Sequence, residues 1–256
     1  MKRTKRPPGG IIFVTGTDTG VGKTVFTTLL LRELRASGTR ALAMKPFCSG
    51  PPDDVDAIRK IQGNELPESL LNPFHFEAPI APWVAASDQG LKIRQAEVVR
   101  GIRAAREHCD ILVVEGAGGL LTPLGERFTA LDLIIELDSE PVLVAPNRLG
   151  CLNQISLALA AFRSADARPP RVVLMEQKAA DSSARSNVGA LRRWHANIDL
   201  FCLPQLNSAE GISEGKRTVQ NIFKKTLALS NASGRTSAVL LSAVRQKSKK
   251  EVDGSR

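Results

Sequence analysis

One segment of the sequence has the composition of a phosphate-binding loop. The run 16–24, Gly-Thr-Asp-Thr-Gly-Val-Gly-Lys-Thr, lies between an apolar stretch and a helical pattern. Glycines let backbone N–H groups turn toward phosphate oxygens, and the N-terminus of the following helix adds positive dipole. In such a loop Lys23 reaches the β- and γ-phosphates of a nucleotide, and Thr24 can ligate Mg²⁺. The loop is a variant, because Thr17 stands where the strict motif has its first glycine. The alternative is an ordinary glycine-rich turn, which Gly-Lys-Thr in this setting disfavours.

Acidic residues at strand ends are candidates to complete a magnesium site. Open α/β sheets bind ligands at the carboxyl ends of their strands, and Mg²⁺ takes oxygen donors. Glu115 ends an apolar run and precedes a second glycine-rich strand exit at 116–119. Asp53, Asp54 and Asp56 form another acidic group, but the capping and first-turn charges of a helix explain that group more simply. From the residues alone, Glu115 is the stronger candidate.

The remaining polar residues give weaker signals. Lys45 ends a predicted strand and precedes Pro-Phe-Cys-Ser-Gly at 46–50. A lysine in such a place is usually solvated, so its type alone favours no catalytic role. His75, His108 and His195 lack metal-ligand spacing, and the four cysteines are widely separated. We therefore predict neither a zinc clip nor a disulfide framework.

The elements that must position these residues read as strands alternating with helices. This order predicts an α/β fold, with a mostly parallel sheet covered by helices on both faces, in a single domain like that of P-loop NTPases. Apolar runs predict strands at 11–15, 40–45, 111–115, 142–145, 172–175 and 200–203. Helical patterns predict helices at 24–37, 53–62, 94–107, 151–163, 183–195 and 212–229, with a possible fragment at 239–244.

Length and charge limit the class of protein. The chain has 256 residues, 43% of them hydrophobic, without an apolar stretch long enough for a bilayer, and the apolar segment after the basic start is too short for an export signal. We expect a cytoplasmic protein. Residues 1–10 and 231–256 carry about +4 each of the net charge of +9. We therefore predict a basic extension at 1–10, a catalytic domain at 11–230 and a basic, poorly ordered tail at 231–256, with no membrane or nucleic-acid partner.

Several motifs together resemble those of the dethiobiotin synthetases, in the same order and at similar separations. The resemblance spans about residues 11–206 and implies an ATP-dependent, Mg²⁺-requiring ligase of biotin biosynthesis. Such an enzyme converts 7,8-diaminopelargonate, CO₂ and ATP to dethiobiotin, ADP and phosphate, and the resemblance also implies a homodimer. The motifs are 14–24, Lys45-Pro46 with Ser49-Gly50, 114–119 with Thr122-Pro123-Leu124, and 149–153, while Asn72-Pro73-Phe74, Pro79 and Pro82 match as well.

The resemblance implies roles for individual residues. Lys23 and Lys45 would be catalytic, on either side of a carbamate and the γ-phosphate, while Thr24, Asp56 and Glu115 would hold Mg²⁺. The residues implied to bind the nucleotide are Gly20, Val21, Gly22, Lys23, Thr24, Val25, Asp56, Glu115, Gly116, Ala117, Gly118, Glu176 and Gln177. Those implied to bind the substrate are Thr19, Ser49, Gly150, Cys151 and Asn153. The helix start near Gly150 has free backbone N–H groups, which suit a carboxylate shared between subunits.

Two departures from the family pattern affect these roles. The family carries Asn-Asp where it meets the adenine, and this chain has Glu176-Gln177, which predicts a relaxed preference for ATP over other triphosphates. The loop between Gly50 and the acidic group is also short, so Asp56 is chosen over Asp54 only because Asp56-Ala57 and an apolar follower fit the family pattern.

Two other functions compete with this interpretation. A partition or site-determining ATPase of the same fold would act through nucleotide-dependent dimers on DNA or membranes. It predicts a second lysine early in the phosphate loop, where this chain has Asp18. An amide-forming ligase related to cobyrinate amidation would resemble a longer chain, with an added glutaminase domain that 256 residues cannot hold.

Overall fold

The protein is built on a parallel sheet. In the computed structural model, the backbone is described for residues 10–232 and the side chains for residues 10–223. The strands are β1 (Ile11–Gly16), β2 (Ala41–Met44), β3 (Phe47–Ser49), β4 (Phe74–Phe76), β5 (Ile111–Glu115), β6 (Glu140–Pro146), β7 (Arg171–Met175) and β8 (Leu200–Leu203). Six of them form one sheet in the order β2-β5-β1-β6-β7-β8, with every neighbouring pair parallel. The short strands β3 and β4 form a separate parallel pair.

Helices connect the strands, as parallel pairing requires. They are α1 (Lys23–Ala36), α2 (Asp53–Gln62), α3 (Glu68–Leu71), α4 (Pro82–Asp88), α5 (Gln95–Arg106), α6 (Ala130–Glu136), α7 (Cys151–Ser164), α8 (Ala184–Trp194) and α9 (Ala209–Ala232). Within residues 10–232, no helix is both long and apolar enough to cross a bilayer.

The central strands are buried along their whole length. Every residue of β5, β6 and β7 is buried, which explains why their sequences are continuous apolar runs rather than alternating patterns. Fully buried Phe13 on β1 and Phe26 on α1 pack in the same core. Burying such a side chain contributes about 1.5–3 kcal/mol. The hydrophobic core therefore holds in place the strand ends next to the phosphate loop.

The sheet order brings two glycine-rich strand exits together. β1 lies between β5 and β6, so the loop after β1 meets the loop after β5. Gly116 N–H donates to the Val14 carbonyl at 2.9 Å, and a Cβ added to Gly119 would lie 3.1 Å from the Thr17 carbonyl oxygen. This close approach explains why the second exit needs glycine.

The predicted fold class is confirmed. All six predicted strands and all six predicted principal helices are present, with ends shifted by a few residues. Sequence reasoning missed β3, β4, α3, α4 and α6. The last of these begins with a capping box, in which Thr129 and Asp132 bond each other's backbone N–H. Residues 231 and 232 of the tail predicted at 231–256 belong to α9. Residues 233–256, with the possible fragment at 239–244, and residues 1–9 of the predicted extension lie outside the described residues.

Candidate active site

The phosphate loop joins β1 to α1, and two glycines set its path. Gly20 and Gly22 have φ angles of 72° and 98°, in the left-handed region that favours glycine. Gly22 is also the N-cap of α1, where an added Cβ would lie 3.0 Å from Met175 Cε. The N–H groups of the first helical turn have no acceptor within the helix. The loop therefore presents N–H groups and a helix dipole to an anion.

Lys23 folds back over this loop. Its Nζ donates to the Asp18 carbonyl oxygen at 2.8 Å, and the residue is only 6% exposed. Burial, and next the charge of Lys45, lower the pKa of Lys23 to about 8, although Glu115 and Asp54 oppose the shift. A bound phosphate would place a negatively charged partner beside this ammonium and stabilise its charged form. Of the two valines predicted to bind nucleotide, Val21 is buried and Val25 is exposed.

Thr24, Lys45, Asp54 and Glu115 meet beside the phosphate loop and are called the Lys45 cluster here. Lys45 Nζ lies 2.7 Å from Glu115 Oε1 and 2.7 Å from Asp54 Oδ2. Thr24 Oγ1 lies 2.7 Å from Asp54 Oδ1 and 2.7 Å from Glu115 Oε1. A hydroxyl carries one proton, so Thr24 donates to one carboxylate at a time. Four chain segments thus converge on one charged centre.

The charges of the Lys45 cluster stabilise one another. Burial would lower the pKa of Lys45, but the charges of Glu115 and Asp54 outweigh it, and the pKa of Lys45 is raised. Burial would likewise raise the pKa of Asp54, but Lys45 outweighs it, and the pKa of Asp54 is lowered. Lys45 therefore remains an ammonium across the physiological pH range, unlike an isolated buried lysine.

The contacts of α2 favour Asp54 over Asp56 as the acidic residue of the site. Residues two apart on a helix point about 200° apart, so Asp54 and Asp56 face different directions. Asp54 contacts Thr24, whereas the Asp56 carboxylate pairs with Arg59 on its own helix. Asp54 takes the place in the site that the sequence analysis gave to Asp56. The sequence showed three candidate carboxylates but not which face of α2 meets α1.

Two amide side chains hold the strand that leads to Lys45. Gln62, at the end of α2, accepts from Ala43 N–H at 2.7 Å and donates to the Ala43 carbonyl at 3.0 Å. Asn72 donates to the Lys45 carbonyl at 2.6 Å. β2 is an edge strand, so these bonds replace those of a missing neighbour. Sequence reasoning missed Gln62, because a single glutamine at a helix end carries no distinctive signal.

The Lys45 cluster has the donor set of a magnesium site. Glu115 is fully buried, and its Oε2 has no hydrogen-bond partner among the described residues. A buried carboxylate oxygen without a partner is costly and points to a missing cation or donor. The described residues hold no group of three or more His, Cys, Asp and Glu placed for a metal. Three protein oxygens, from Thr24, Asp54 and Glu115, nevertheless suit Mg²⁺. This ion usually retains several water ligands and is also coordinated by the phosphates of the nucleotide.

The second glycine-rich exit lines the other side of the phosphate loop. Gly118 has φ of 64°, and the following Gly119 N–H donates to Thr122 Oγ1 at 2.8 Å. Gly116 and Ala117 follow Glu115 directly at the end of β5. These predicted nucleotide-binding residues thus lie next to both Glu115 and the loop after β1.

Two of the predicted substrate residues differ in their surroundings. Ser49 ends β3, and its Oγ is buried without a hydrogen-bond partner among the described residues. Thr19 is exposed on the phosphate loop, where its N–H donates to Asp18 Oδ1 at 2.7 Å. The Ser49 hydroxyl therefore has unused hydrogen-bonding capacity, whereas Thr19 lies at the open surface.

The other three lie at the start of α7. Gly150 is its N-cap, with φ of 92°, and a Cβ added there would meet nothing within 4 Å. Cys151 is fully buried, whereas Asn153 is exposed. Asp181 Oδ2 accepts from Leu149 N–H at 2.8 Å and fixes the loop before the helix. The helix start is thus an open, positioned set of N–H donors.

A chain of amides lies beside Glu176 at the end of β7. Asn147 Nδ2 donates to Glu176 Oε1 at 2.8 Å, and Asn187 Nδ2 donates to Asn147 Oδ1 at 2.9 Å. Both asparagines are buried, at 1% and 2% exposure. Gln177 Nε2 donates to the Met175 carbonyl at 2.7 Å. Sequence reasoning missed Asn147 and Asn187, whose only signal is a polar residue just after an apolar strand.

The fold and the site together define a P-loop nucleotide-binding protein. A family model described as "AAA domain" matches residues 11–213. Solved structures support the fold alone: a MinC:MinD cell division protein complex of Aquifex aeolicus matches at a TM-score of 0.56 and 12% identity, covering 86% of this chain and 96% of that chain. A putative plasmid partition protein of Borrelia burgdorferi B31, bound to AMPPNP, matches at a TM-score of 0.53 and 12% identity, covering 85% and 99%.

Curated relatives identify the family more narrowly. The ATP-dependent dethiobiotin synthetase BioD of Anaeromyxobacter sp. (strain Fw109-5) is 41% identical over 157 residues, 60% of this chain and 70% of the relative. The enzyme of the same name from Ralstonia nicotianae (strain GMI1000) is 34% identical over 202 residues, 76% and 88%. The chain belongs to the ATP-dependent dethiobiotin synthetase family.

Proposed function

We propose that this protein is a cytoplasmic ligase that forms dethiobiotin from 7,8-diaminopelargonate, CO₂ and ATP, in biotin biosynthesis. One observation carries the proposal beyond family membership. Lys45, which follows β2, brings a second ammonium near the phosphate loop that holds Lys23, and its charge contributes to the lowered pKa of Lys23. Two cations at one place suit a reaction between a carbamate and a phosphoryl group, because both reactants are negatively charged.

The reaction requires no protein nucleophile. One substrate amine adds to CO₂ and loses a proton, which gives a carbamate. A carbamate oxygen attacks the γ-phosphorus of ATP and releases ADP, leaving a mixed carbamic-phosphoric anhydride. The second amine attacks its carbonyl carbon, phosphate leaves, and the cyclic urea closes. The protein contributes positioning and positive charge where negative charge develops.

The two lysines would stabilise negative charge at different places in the site. Lys23 is on the phosphate loop, where its ammonium would move from the Asp18 carbonyl to the β- and γ-phosphates. Lys45 comes from the end of β2 and approaches from the Glu115 side. Its ammonium would lie between the carbamate and the γ-phosphate, and the unbonded Ser49 hydroxyl four residues later would contact the substrate.

Thr24, Asp54 and Glu115 would hold Mg²⁺. When bound, this ion neutralises charge on the β- and γ-phosphates during transfer. Glu115 is positioned for this by full burial at the end of β5, and Asp54 by the first turn of α2.

The sheet order supports one direction for the bound nucleotide. The reacting end must lie near Lys45, which follows β2, and Glu115, which ends β5, on one side of β1. The α-phosphate, ribose and base then extend to the other side, over β6 and β7. Neighbouring strands are about 4.8 Å apart, so β7 lies about 10 Å from β1, a distance that a nucleotide spans. The base would then lie near Glu176.

The diaminopelargonate carboxylate would bind at the start of α7, in a homodimer. Leu149, Leu152 and Leu157 expose 80%, 37% and 63% of their surface, and Trp194 on α8 exposes 82%. Ser156 and His195 hydrogen-bond at 3.0 Å and join these helices. Exposed apolar side chains on α7 and α8, near the proposed carboxylate site, favour a second copy of the chain as their cover, in a two-fold contact.

The test is a product assay with each reactant omitted in turn. Purified protein receives ATP, Mg²⁺, bicarbonate and diaminopelargonate, and phosphate release and dethiobiotin are both measured. The proposal requires phosphate and dethiobiotin to appear in equal amounts and only in the complete mixture. ATP hydrolysis without diaminopelargonate, at the same rate as in the complete mixture, would instead support a nucleotide switch. The sequence disfavours such a switch, because Asp18 stands where a partition ATPase is expected to have an early loop lysine.

A further inference from the structure

Residues 45–50, which carry Lys45 and Ser49, lie outside the six-stranded sheet. β2 is an edge strand, and its pairing with β5 ends at Met44. Among the described residues, the chain after that point pairs with no strand of the main sheet. Residues 71–76, called the Asn72 segment here, lie along it instead. This segment contains the Asn-Pro-Phe motif at 72–74, and the proposed reaction gives that motif no role.

Backbone hydrogen bonds join the two segments from end to end. β3 and β4 pair in parallel within them, with Cys48 opposite His75. Three further bonds extend this pairing: Lys45 N–H donates to the Leu71 carbonyl at 2.9 Å, Phe74 N–H to the Pro46 carbonyl at 3.1 Å, and Gly50 N–H to the Phe76 carbonyl at 2.8 Å. The Asn72 segment therefore fixes the backbone register of the chain that carries Lys45 and Ser49, as a neighbouring strand would.

Two side chains of the Asn72 segment strengthen this pairing at its ends. Asn72 Nδ2 donates to the Lys45 carbonyl at 2.6 Å, and His75 Nε2 donates to the Gly50 carbonyl at 2.9 Å. A carbonyl oxygen only accepts, so His75 supplies the proton of its bond. One side-chain bond thus holds Lys45 itself, and the other holds the residue next to Ser49.

The Asn72 segment is itself anchored in the core. Leu71, at the end of α3, and Phe76, at the end of β4, are 1% and 2% exposed. The Phe74 ring stacks on Phe47 with a centroid distance of 5.1 Å, in an arrangement that aromatic pairs favour. None of these contacts involves a residue of the phosphate loop. The segment can therefore hold Lys45 whether or not a nucleotide is bound.

We propose that the Asn72 segment positions two residues of the active site, with Asn72 as the positioning residue for Lys45 and His75 as that for Ser49. The inference rests on the proposed function, in which Lys45 acts at the carbamate and the γ-phosphate and Ser49 contacts the substrate. A shift of the Lys45 backbone would move Nζ away from the two carboxylates that it contacts at 2.7 Å. A displacement of about 1 Å in an active site can lower a rate about 100-fold.

The first variant removes the Asn72 donor and keeps the shape of the side chain. In Asn72→Asp a carboxylate oxygen faces the Lys45 carbonyl in place of an N–H group, so two acceptors meet. We expect kcat for dethiobiotin formation to fall about tenfold or more, while KM for ATP stays within about twofold of the wild type. Val219→Ala, at a fully buried position on α9, is the control for lost stability and should keep the wild-type kcat.

A measurement without substrates reports on Lys45 directly. The free protein is treated with a trace of acetic anhydride, and acetylation of each lysine is measured by mass spectrometry. In the wild type Lys45 is 4% exposed and is held as an ammonium between two carboxylates, so it should react slowly. Asn72→Asp should raise the rate at Lys45 several-fold relative to exposed Lys60 of the same protein. Val219→Ala should leave this relative rate unchanged.

The second variant tests the other end of the Asn72 segment. His75 is exposed, so His75→Ala keeps the fold even where a change at buried Asn72 does not. Loss of the bond to Gly50 should raise KM for diaminopelargonate about threefold, as for one neutral hydrogen bond, and should leave kcat and KM for ATP nearly unchanged. His108→Ala, at an exposed position before β5, is the matched control and should change none of the three.

The two ends of the Asn72 segment can fail separately. Wild-type kcat together with wild-type labelling of Lys45 in Asn72→Asp would overturn the inference for Lys45. An unchanged KM for diaminopelargonate in His75→Ala would overturn it for Ser49. Both results leave the proposed function intact. Failure of the wild type to form dethiobiotin would contradict the proposed function, whereas the labelling of Lys45 would still decide whether Asn72 positions it.

Discussion

The two ends of the proposed nucleotide site are built differently. At the reacting end, charged side chains from four segments contact one another directly, and the carboxylates of Asp54 and Glu115 enclose Lys45. At the base end, neutral amides hold one carboxylate through a linear chain of bonds. Charge at the reacting end can stabilise a transition state, whereas hydrogen-bond polarity at the base end can only discriminate between ligands. Variants at the first end should change turnover, and variants at the second should change selectivity.

The largest effect should come from removing either lysine of the reacting end. Lys23→Ala and Lys45→Ala should each lower kcat at least tenfold, since loss of a transition-state donor costs on the order of 2–4 kcal/mol. The exposed Lys60→Ala on α2 is the matched control and should keep wild-type turnover. Wild-type kcat in Lys45→Ala at saturating substrates would mean that Lys45 has a structural role and not a catalytic one.

Lys45→Ala should also reveal the cation site. Without the ammonium, two carboxylates face each other around Thr24, and a divalent cation replaces the lost charge. Mg²⁺ without nucleotide should therefore raise the melting temperature of this variant more than that of the wild type. Equal shifts would mean that the Lys45 cluster does not bind the ion.

A smaller effect should separate Asp54 from Asp56. The two residues are matched, since they lie two positions apart on α2. Asp54→Asn should raise the Mg²⁺ concentration for half-maximal activity on the order of tenfold, as expected when the shell of a metal site is weakened. Asp56→Asn should leave it unchanged, because Asp56 forms its ion pair with Arg59 on the same helix, outside the Lys45 cluster. The reverse order would restore the choice made from the sequence.

Predictions from the sequence are weakest where a contact joins segments that are distant along the chain. The phosphate loop and Glu115 could be predicted because each is a local pattern, with a strand before it and glycine around it. The choice between Asp54 and Asp56 could not, since it depends on how α2 rotates against α1. Asn147 and Asn187 are 40 residues apart, and nothing local marks either of them. The sequence thus predicts motifs that are local in the chain, but it does not predict which distant residues contact each other in the fold.

Gly150→Leu tests the substrate end. The added side chain would enter open space at the start of α7, where the diaminopelargonate carboxylate is proposed to bind. KM for diaminopelargonate should rise several-fold, because the variant loses ground-state binding of this substrate. KM for ATP should change little. Gly38→Leu is the matched control, because Gly38 has φ of 85° and equally open surroundings at the far end of α1. Equal effects of both variants would mean that backbone strain is the cause. Sedimentation showing a fully active monomer would contradict the shared carboxylate site.

The smallest expected effect is a pH dependence of nucleotide binding that separates the two lysines. In the protein without nucleotide the pKa of Lys23 is about 8, lowered by burial and by Lys45, whereas the pKa of Lys45 is raised. Phosphate oxygens bind the charged form of Lys23 and raise its pKa in the complex. Below pH 8 the free protein already carries this proton; above pH 8 binding must take one up, so affinity falls as pH rises. For a non-hydrolysable ATP analogue, the affinity should fall about threefold between about pH 7.5 and 8.5. Lys23→Arg keeps its charge throughout this range, so its affinity, weaker or not, should stay level. A level profile in the wild type would mean that Lys23 is charged in the free protein across this range, and that burial does not lower its pKa.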